Sequence, residues 1–349
     1  MLQHRLVVIA FVIFITSNVF AEPSALDAIV PAKLPALLRP PKGTPSEVVA
    51  VLALQRGDRI DCLAVRADGK ALALGGPDQI VRLWDLEKMR VTSTLKLPQP
   101  VVSLAFAADG KTLAVGDAGG SVRLLKAEGG ALSAKVVFLA HKDAPIWAVS
   151  FSPDGTRLYS AARDKSAAVW DIAKPKPARL ALLEGHEIEV RSLSLDADGK
   201  VLTTAGNQDK TIRLWDVSTD AAKTAGQLKL ADRVVSVAVS PDGTLVAVGG
   251  AKGVPAIFER KGTKLTKKAD LDTGGRAATG VSFNADGDRI VGMAAHSGIE
   301  DRVVVWNTKG EVIHEFRYER HLHAVAFAPD GRHLIVITES DPMIVRLPK

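Results

Sequence analysis

The chain has 349 residues, of which 47% are hydrophobic and 24% are charged, an ordinary balance for a globular protein. Its formal charge of +6 is spread along the chain without a long basic run, which favours solubility and argues against nucleic-acid binding. The single cysteine, Cys62, excludes an intramolecular disulfide, so the fold must be held together by its core.

Residues 1–21 predict a secretory signal peptide. Arg5 precedes an apolar stretch at 6–15, and small residues stand before the expected cleavage point at Ala21. An uncleaved membrane anchor is the alternative, but ten to twelve helical residues rise only about 15–18 Å, against a hydrocarbon core of roughly 30 Å. We therefore expect a bacterial-type exported protein, periplasmic or extracellular. Residues 22–45 contain six prolines and predict an extended linker.

A repeat organises everything after residue 45. Seven Asp-Gly pairs recur at spacings of 41 to 45 residues, with the aspartates at Asp68, Asp109, Asp154, Asp198, Asp242, Asp286 and Asp330. Asp-Gly after an alternating apolar run predicts a hairpin, because glycine adopts the positive φ that the turn needs. Bulky and small residues alternate before each turn, which predicts a strand with one face small enough for sheets to converge on an axis. Cys62 falls in the small series, so a packed residue is favoured over a reactive thiol.

Each turn is followed by a second strand, a third strand that carries tryptophan or its substitute, and a more polar fourth strand. Four antiparallel strands in a repeat of about 44 residues are typical of a β-propeller blade. The last repeat, however, ends after three strands. We expect residues 48–56 to supply its fourth strand, which closes the ring into one domain and leaves no open edge.

Residues 46–349 resemble the WD-repeat (WD40-type) propellers. The resemblance rests on "SPDG" at 152–155 and 240–243, Trp-Asp at 84–85, 170–171 and 215–216, and Gly-His at 185–186. It implies an all-β, seven-bladed propeller of four-stranded antiparallel blades, expected to be a monomeric ring. Repeats two, five and seven depart from the pattern, because Leu125, Phe258 and Pro348 are predicted where tryptophan would stand.

Two sets of residues look like hydrolytic triads with an added tryptophan: His141, Ser160, Asp164 and Trp170 in the third repeat, and His186, Thr204, Asp209 and Trp215 in the fourth. The resemblance implies that each set forms a buried structural hydrogen-bond chain, so no catalytic residue is predicted.

No metal or cofactor is predicted either. His321 and His323 could face one metal ion, but no third ligand stands near them in the sequence, and two rim histidines are favoured. The turn at 284–288 carries too few oxygen ligands for calcium.

The strand order places the loops that enter each first strand on the same rim as the loops between second and third strands. Positions nine and seven residues before the Asp-Gly aspartates lie on this rim and vary between repeats. Those that carry charge or an aromatic ring are predicted to bind a partner: Arg59, Asp61, Trp147, Glu189, Arg191, Arg233, His321 and His323. Arginine and tryptophan are common in binding hot spots, and the set fits a protein or peptide that is acidic or aromatic.

Other interpretations stay open. Trp147 could plug the channel mouth while the arginines are only solvated. The propeller could be a hydrolase or lactonase with its site in the central channel, or a structural subunit of a larger envelope complex.

Overall fold

The computed structural model describes residues 48–52, 54, 58–295, 301–318, 321–339 and 341–348. The predicted signal peptide (1–21) and the predicted linker (22–45) lie outside these residues. Within them, no helix has the length and apolar character needed to cross a bilayer.

The described residues form 28 strands in six antiparallel sheets, which we name A to F. The first strand in the chain, β1 (Val48–Val51), belongs to the last sheet. Sheet A contains β2 (Cys62–Val65), β3 (Ala71–Gly75), β4 (Ile80–Asp85) and β5 (Arg90–Lys96). Sheet B contains β6 (Val101–Phe106), β7 (Thr112–Asp117), β8 (Ser121–Glu128) and β9 (Ala131–Leu139).

The next two sheets have the same order. Sheet C contains β10 (Ile146–Phe151), β11 (Arg157–Ala162), β12 (Ala167–Asp171) and β13 (Ala178–Leu183). Sheet D contains β14 (Val190–Leu195), β15 (Val201–Gly206), β16 (Thr211–Asp216) and β17 (Lys223–Lys229).

Sheet E has eight strands: β18 (Val234–Val239), β19 (Leu245–Gly250), β20 (Ala256–Lys261), β21 (Lys264–Asp270), β22 (Ala277–Phe283), β23 (Arg289–Ala295), β24 (Asp301–Asn307) and β25 (Val312–Tyr318). Sheet F joins β26 (Leu322–Phe327), β27 (His333–Thr338) and β28 (Pro342–Arg346) to β1.

The Asp-Gly turns have the predicted backbone. All seven glycines have φ between 62° and 73°: Gly69, Gly110, Gly155, Gly199, Gly243, Gly287 and Gly331. In each turn the glycine N–H donates to the carbonyl three residues earlier, as from Gly155 to Ser152 over 2.9 Å. A residue with a Cβ is disfavoured at this φ, so the glycine fixes where the hairpin between first and second strands turns.

Small residues on the first strands bring neighbouring sheets into direct contact. The backbone N–H of Val237 donates to the hydroxyl of Ser192 over 3.2 Å, and Val239 N–H donates to Ser194 over 3.0 Å. A larger side chain at either serine would separate β14 from β18, so the small face sets the distance between sheets D and E. The apolar core lies between the sheets. For example, the ring of Phe138 in sheet B packs at a tilt against Trp170 of sheet C, with 4.9 Å between ring centroids.

The predicted pairing of the N-terminal strand with the last repeat is confirmed. Strand β1 pairs with β28 in antiparallel register, with Ala50 opposite Ile344 and Val51 opposite Met343. The N–H of Leu52 continues this pairing by donating to the carbonyl of Pro342 over 2.8 Å. The strand is shorter than the predicted 48–56, since residues 53 and 55–57 lie outside the described part of the chain and Leu54 is not in the ladder.

The predicted blade count differs from the observed sheets. The described residues form five separate four-stranded blades rather than seven, because repeats five and six are joined into the eight-stranded sheet E. The link between them is a single pair, Gly250 of β19 opposite Ala278 of β22. The all-β architecture of four-stranded antiparallel blades is as predicted.

One position in the last repeat was predicted wrongly. Leu125 and Phe258 occupy the tryptophan positions of their repeats, opposite Leu113 and Val246. In sheet F the equivalent position opposite Leu334 is Val345 and not Pro348. The reason is the tighter connection between β27 and β28. Four residues separate the paired Ile337 and Pro342, against five between Gly116 and Val122 of sheet B, so β28 enters the ladder one residue earlier.

Candidate functional site

The candidate site lies on the side of the sheets that we call the upper rim, where the first strand of each repeat begins and the second strand ends. In five repeats the backbone N–H of the residue after the second strand donates to the carbonyl at the start of the first strand. These bonds measure 2.9–3.2 Å and run from Ala118 to Pro100, Arg163 to Pro145, Asn207 to Glu189, Ala251 to Arg233 and Glu339 to His321. The rim backbone is therefore held in the same way around much of the ring.

A β-bulge follows directly after this bond. In the same five repeats the register of the ladder shifts near the start of the first strand, so that one residue in each strand has no partner opposite it. These residues are Val102, Trp147, Arg191, Val235 and His323. A bulge leaves the extra residue out of the ladder and re-aims its side chain. Three predicted site residues, Trp147, Arg191 and His323, occupy this position.

The structure brings Trp147, Glu189 and Arg191 together. The Arg191 guanidinium carbon lies 4.6 Å from the centroid of the buried Trp147 ring, a cation–π contact between sheets C and D. The Arg191 Nε–H donates to Glu189 Oε1 over 2.7 Å, and the side-chain amide of Asn207 donates to the same oxygen over 3.0 Å.

The electrostatics of this group keep Glu189 ionised. Burial alone would raise the pKa of Glu189, but the Asn207 hydrogen bond and the charges of Arg191 and Arg163 outweigh it and hold the pKa below its usual value. Asn207 and Arg163 were missed by the sequence reasoning. Both stand nine residues after their Asp-Gly aspartate, so the symmetry of the hairpin about its turn could have identified them.

Asp61 and His323 form a second pair, across the junction of sheets A and F. Their Oδ1 and Nδ1 atoms lie 3.0 Å apart, and both side chains are largely buried. His321 faces a different carboxylate, since its Nδ1 lies 3.4 Å from Oδ2 of Asp301. The two histidines therefore have separate acidic partners. In the part of the chain that the structure describes, no group of three or more histidine, cysteine or acidic residues is placed to hold a metal ion.

Arg59 and Arg233 are exposed residues of the upper rim, in other repeats than Trp147, Glu189 and Arg191. The backbone of each arginine makes its contacts at the rim. The N–H of Arg59 donates to Asp78 Oδ2 over 3.2 Å, and that of Arg233 donates to Asp232 Oδ1 over 2.7 Å. The backbone of each arginine is therefore held in place, while its side chain is exposed.

The two triad-like sets each form a continuous hydrogen-bond chain. In sheet D, His186 contacts Asp209 Oδ2 through Nδ1 over 2.7 Å and the Thr204 hydroxyl through Nε2 over 2.8 Å. The indole N–H of Trp215 donates to the same hydroxyl over 2.9 Å. In sheet C the corresponding contacts of His141 with Asp164 and Ser160 are both 2.8 Å, and Trp170 donates to Ser160 over 3.0 Å.

The direction of each hydrogen bond in these two hydrogen-bond chains follows from which groups can donate. An indole N–H can only donate, so the hydroxyl accepts from it and donates its own proton to histidine Nε2. Histidine Nδ1–H then donates to the aspartate. Ser160 and Thr204 are fully buried, so neither oxygen can reach a substrate from solvent. Burial alone would raise the pKa of Asp209, but hydrogen bonds from His186 and Thr211 outweigh it and lower the pKa.

The sequence comparisons agree with this fold. The family profile described as "WD domain, G-beta repeat" matches residues 90–125, 133–171 and 178–216. The β-propeller domain of Cps50 (Swd1) from Myceliophteria thermophila superposes with a TM-score of 0.73 at 16% identity, over 85% of this chain and 99% of that one. The chain contains WD40 repeats and has the fold of a WD-repeat β-propeller.

Two curated relatives match longer stretches. The U3 small nucleolar RNA-associated protein 15 homolog of Xenopus tropicalis is 27% identical over 280 residues, which is 80% of this chain and 44% of the relative. The eukaryotic translation initiation factor 3 subunit I of Debaryomyces hansenii is 30% identical over 216 residues, 55% of this chain and 59% of the relative. The chain thus spans about half of the length of these relatives.

These relatives overturn the predicted location. Their names describe a nucleolar RNA-associated protein and a translation initiation factor of eukaryotes, so the expectation of an exported, periplasmic or extracellular protein is wrong. The expectation of a bacterial-type member has no support from them either. Both expectations rested on the composition of residues 1–21, which is independent of the repeats that carry the similarity.

Proposed function

We propose that the chain is a non-catalytic binding platform whose upper rim captures a peptide or protein partner. One observation carries the proposal. The same backbone bond and the same bulge hold the rim in five repeats, while the side chains placed there differ from repeat to repeat. A fixed backbone that presents variable side chains is suited to recognition, because the residues are ordered before the partner arrives.

We further propose a closed, monomeric, seven-bladed ring over residues 46–349, in which sheet E counts as two blades. Strands β18–β21 and β22–β25 each contain four antiparallel strands in the order of sheets A to D. Among the described residues, Gly250 and Ala278 form the only ladder pair between them. This pair joins the last residue of the second strand of repeat five to the first strand of repeat six, so it marks a contact between two neighbouring blades.

The non-catalytic part of the proposal rests on the buried hydrogen-bond chains. The hydroxyls of Ser160 and Thr204 already bind an indole and an imidazole, so they are engaged in the fold. The relatives point in the same direction, since one is named as a subunit of a translation initiation factor. Partners of this chain would accordingly be proteins.

The rim chemistry favours an acidic partner. Arg59 and Arg233 are exposed, and Arg191 lies partly exposed over Trp147. A carboxylate is the group that a guanidinium binds with two parallel hydrogen bonds.

The test is charge reversal on the full chain in its native cells. A variant with Arg59, Arg191 and Arg233 each changed to Glu should lose cross-linked partners that the wild type captures. The matched control changes three exposed arginines on fourth strands, Arg90, Arg179 and Arg317, to Glu. Equal capture by the two folded variants would refute a rim site.

A further inference from the structure

Arg191 differs from the other rim arginines because its side chain is held on two sides. Its guanidinium lies over the Trp147 ring at 4.6 Å, and its Nε–H is bound to Glu189 at 2.7 Å. Within the described residues, Nη1 and Nη2 make no hydrogen bond, although about 15% of the side chain is exposed. The fork of the guanidinium is therefore oriented and free to bind.

The positive charge of two arginines acts at Glu189. The guanidiniums of Arg191 and of the exposed Arg163 both lower the pKa of this carboxyl group. An anionic group that binds beside Arg191 would be attracted by the same two cations, and the partly buried surroundings would strengthen the attraction.

Asn207 is a second donor to Glu189. Its side-chain amide must point its Nδ2–H towards Glu189, since the reverse orientation would set two oxygens against each other. The residue is 7% exposed, and its Oδ1 is buried without a hydrogen bond among the described residues, so Asn207 acts through Glu189 and does not contact a ligand.

We propose that Arg191 and Arg163 form a carboxylate receptor for an acidic residue of a peptide partner. The ligand carboxylate binds Nη1 and Nη2 of Arg191 in a bidentate manner, with Arg163 as second cation. Trp147, Glu189 and Asn207 are positioning residues that hold the Arg191 fork in place. This inference rests on the proposed function, and it names the chemistry that the rim recognises.

The test uses 5-fluorotryptophan in the full chain and ¹⁹F NMR, with the Trp147 resonance assigned from Trp147→Phe. The probe is N-acetyl-hexaglutamate amide, and the uncharged comparison is N-acetyl-hexaglutamine amide. We expect the glutamate peptide to shift the Trp147 resonance saturably and the glutamine peptide to leave it unchanged. Arg191→Lys keeps the charge but loses the fork and the stacking, so it should bind about tenfold more weakly.

The matched control is Arg179→Lys, an exposed arginine on β13 that should bind as the wild type does. No saturable shift at Trp147, or undiminished binding by Arg191→Lys, would overturn the receptor. If Arg191→Lys binds the peptide as the wild type does but replacement of Arg59 and Arg233 abolishes binding, the receptor fails while the rim proposal stands.

Discussion

We predict that Thr204→Val lowers the free energy of unfolding markedly although it hardly changes the shape of the side chain, because Thr204 belongs to the buried hydrogen-bond chain of sheet D. Thr204→Val replaces a hydroxyl with a methyl group and leaves the packing volume almost unchanged. It also removes the acceptor for the Trp215 N–H and the donor for His186 Nε2, both of which are buried. Each buried polar group left without a partner costs about 1–3 kcal/mol, so we expect a loss of about 2–5 kcal/mol.

The adjacent residue supplies the control. Thr203 is equally buried on β15, but its hydroxyl makes no hydrogen bond with any described residue. Thr203→Val should therefore be neutral or should stabilise the fold by up to about 1 kcal/mol, because it removes an unpaired buried hydroxyl. The two variants differ only in whether the lost hydroxyl had partners.

Urea unfolding followed by circular dichroism and tryptophan fluorescence measures the difference. In thermal unfolding, the same loss of about 2–5 kcal/mol should lower the melting temperature by roughly 4–10 °C. This conversion uses about 2 °C per kcal/mol, the smallest shift expected for a larger chain. If Thr204→Val costs no more than Thr203→Val, the hydrogen-bond chain does not stabilise this blade and the reasoning fails.

Three further predictions concern the tryptophans, pH and the closure. Trp215→Phe should cost about 1–2 kcal/mol more than Trp84→Phe, because the Trp84 indole N–H has no partner among the described residues; equal losses in urea unfolding would contradict this. The pKa of Asp209 is lowered in the fold, so its stabilisation is present above about pH 4 and is lost as pH falls through the folded pKa. Asp209→Asn should show a shallower loss than the wild type as the pH falls below about 4, and an identical pH profile would argue against it. Ala50→Cys with Ile344→Cys should form an intrachain disulfide that raises the free energy of unfolding by at most about 5 kcal/mol; failure to oxidise would place β1 elsewhere.

Much of the fold could be predicted from local patterns. The seven Asp-Gly turns and the alternation before them fix hairpins whose pairing depends only on neighbouring residues, and the observed glycine φ angles agree. The closing strand expected at residues 48–56 agrees with β1, which begins at Val48. The distance between residues along the chain can be read from the sequence, so features that depend on it alone could be predicted.

The remaining features depend on how one sheet sits against the next. The contact of Arg191 with Trp147 joins repeats 44 residues apart, and the hairpin register within either repeat does not determine it. The same applies to the pair of Gly250 and Ala278, which joins repeats five and six. Val345 was missed because the length of the last connection decides which residue faces Leu334, and a degenerate repeat carries no tryptophan to mark the position.

The most direct test of the central claim is site-specific photo-cross-linking in the native cell. A benzophenone amino acid is placed either at Arg233 on the upper rim or at Arg179 on the outer strand of sheet C, both exposed positions. We predict that one partner protein is cross-linked from position 233 and is absent from position 179. Cross-linking of that partner from position 179 and not from 233 would contradict a rim-binding propeller.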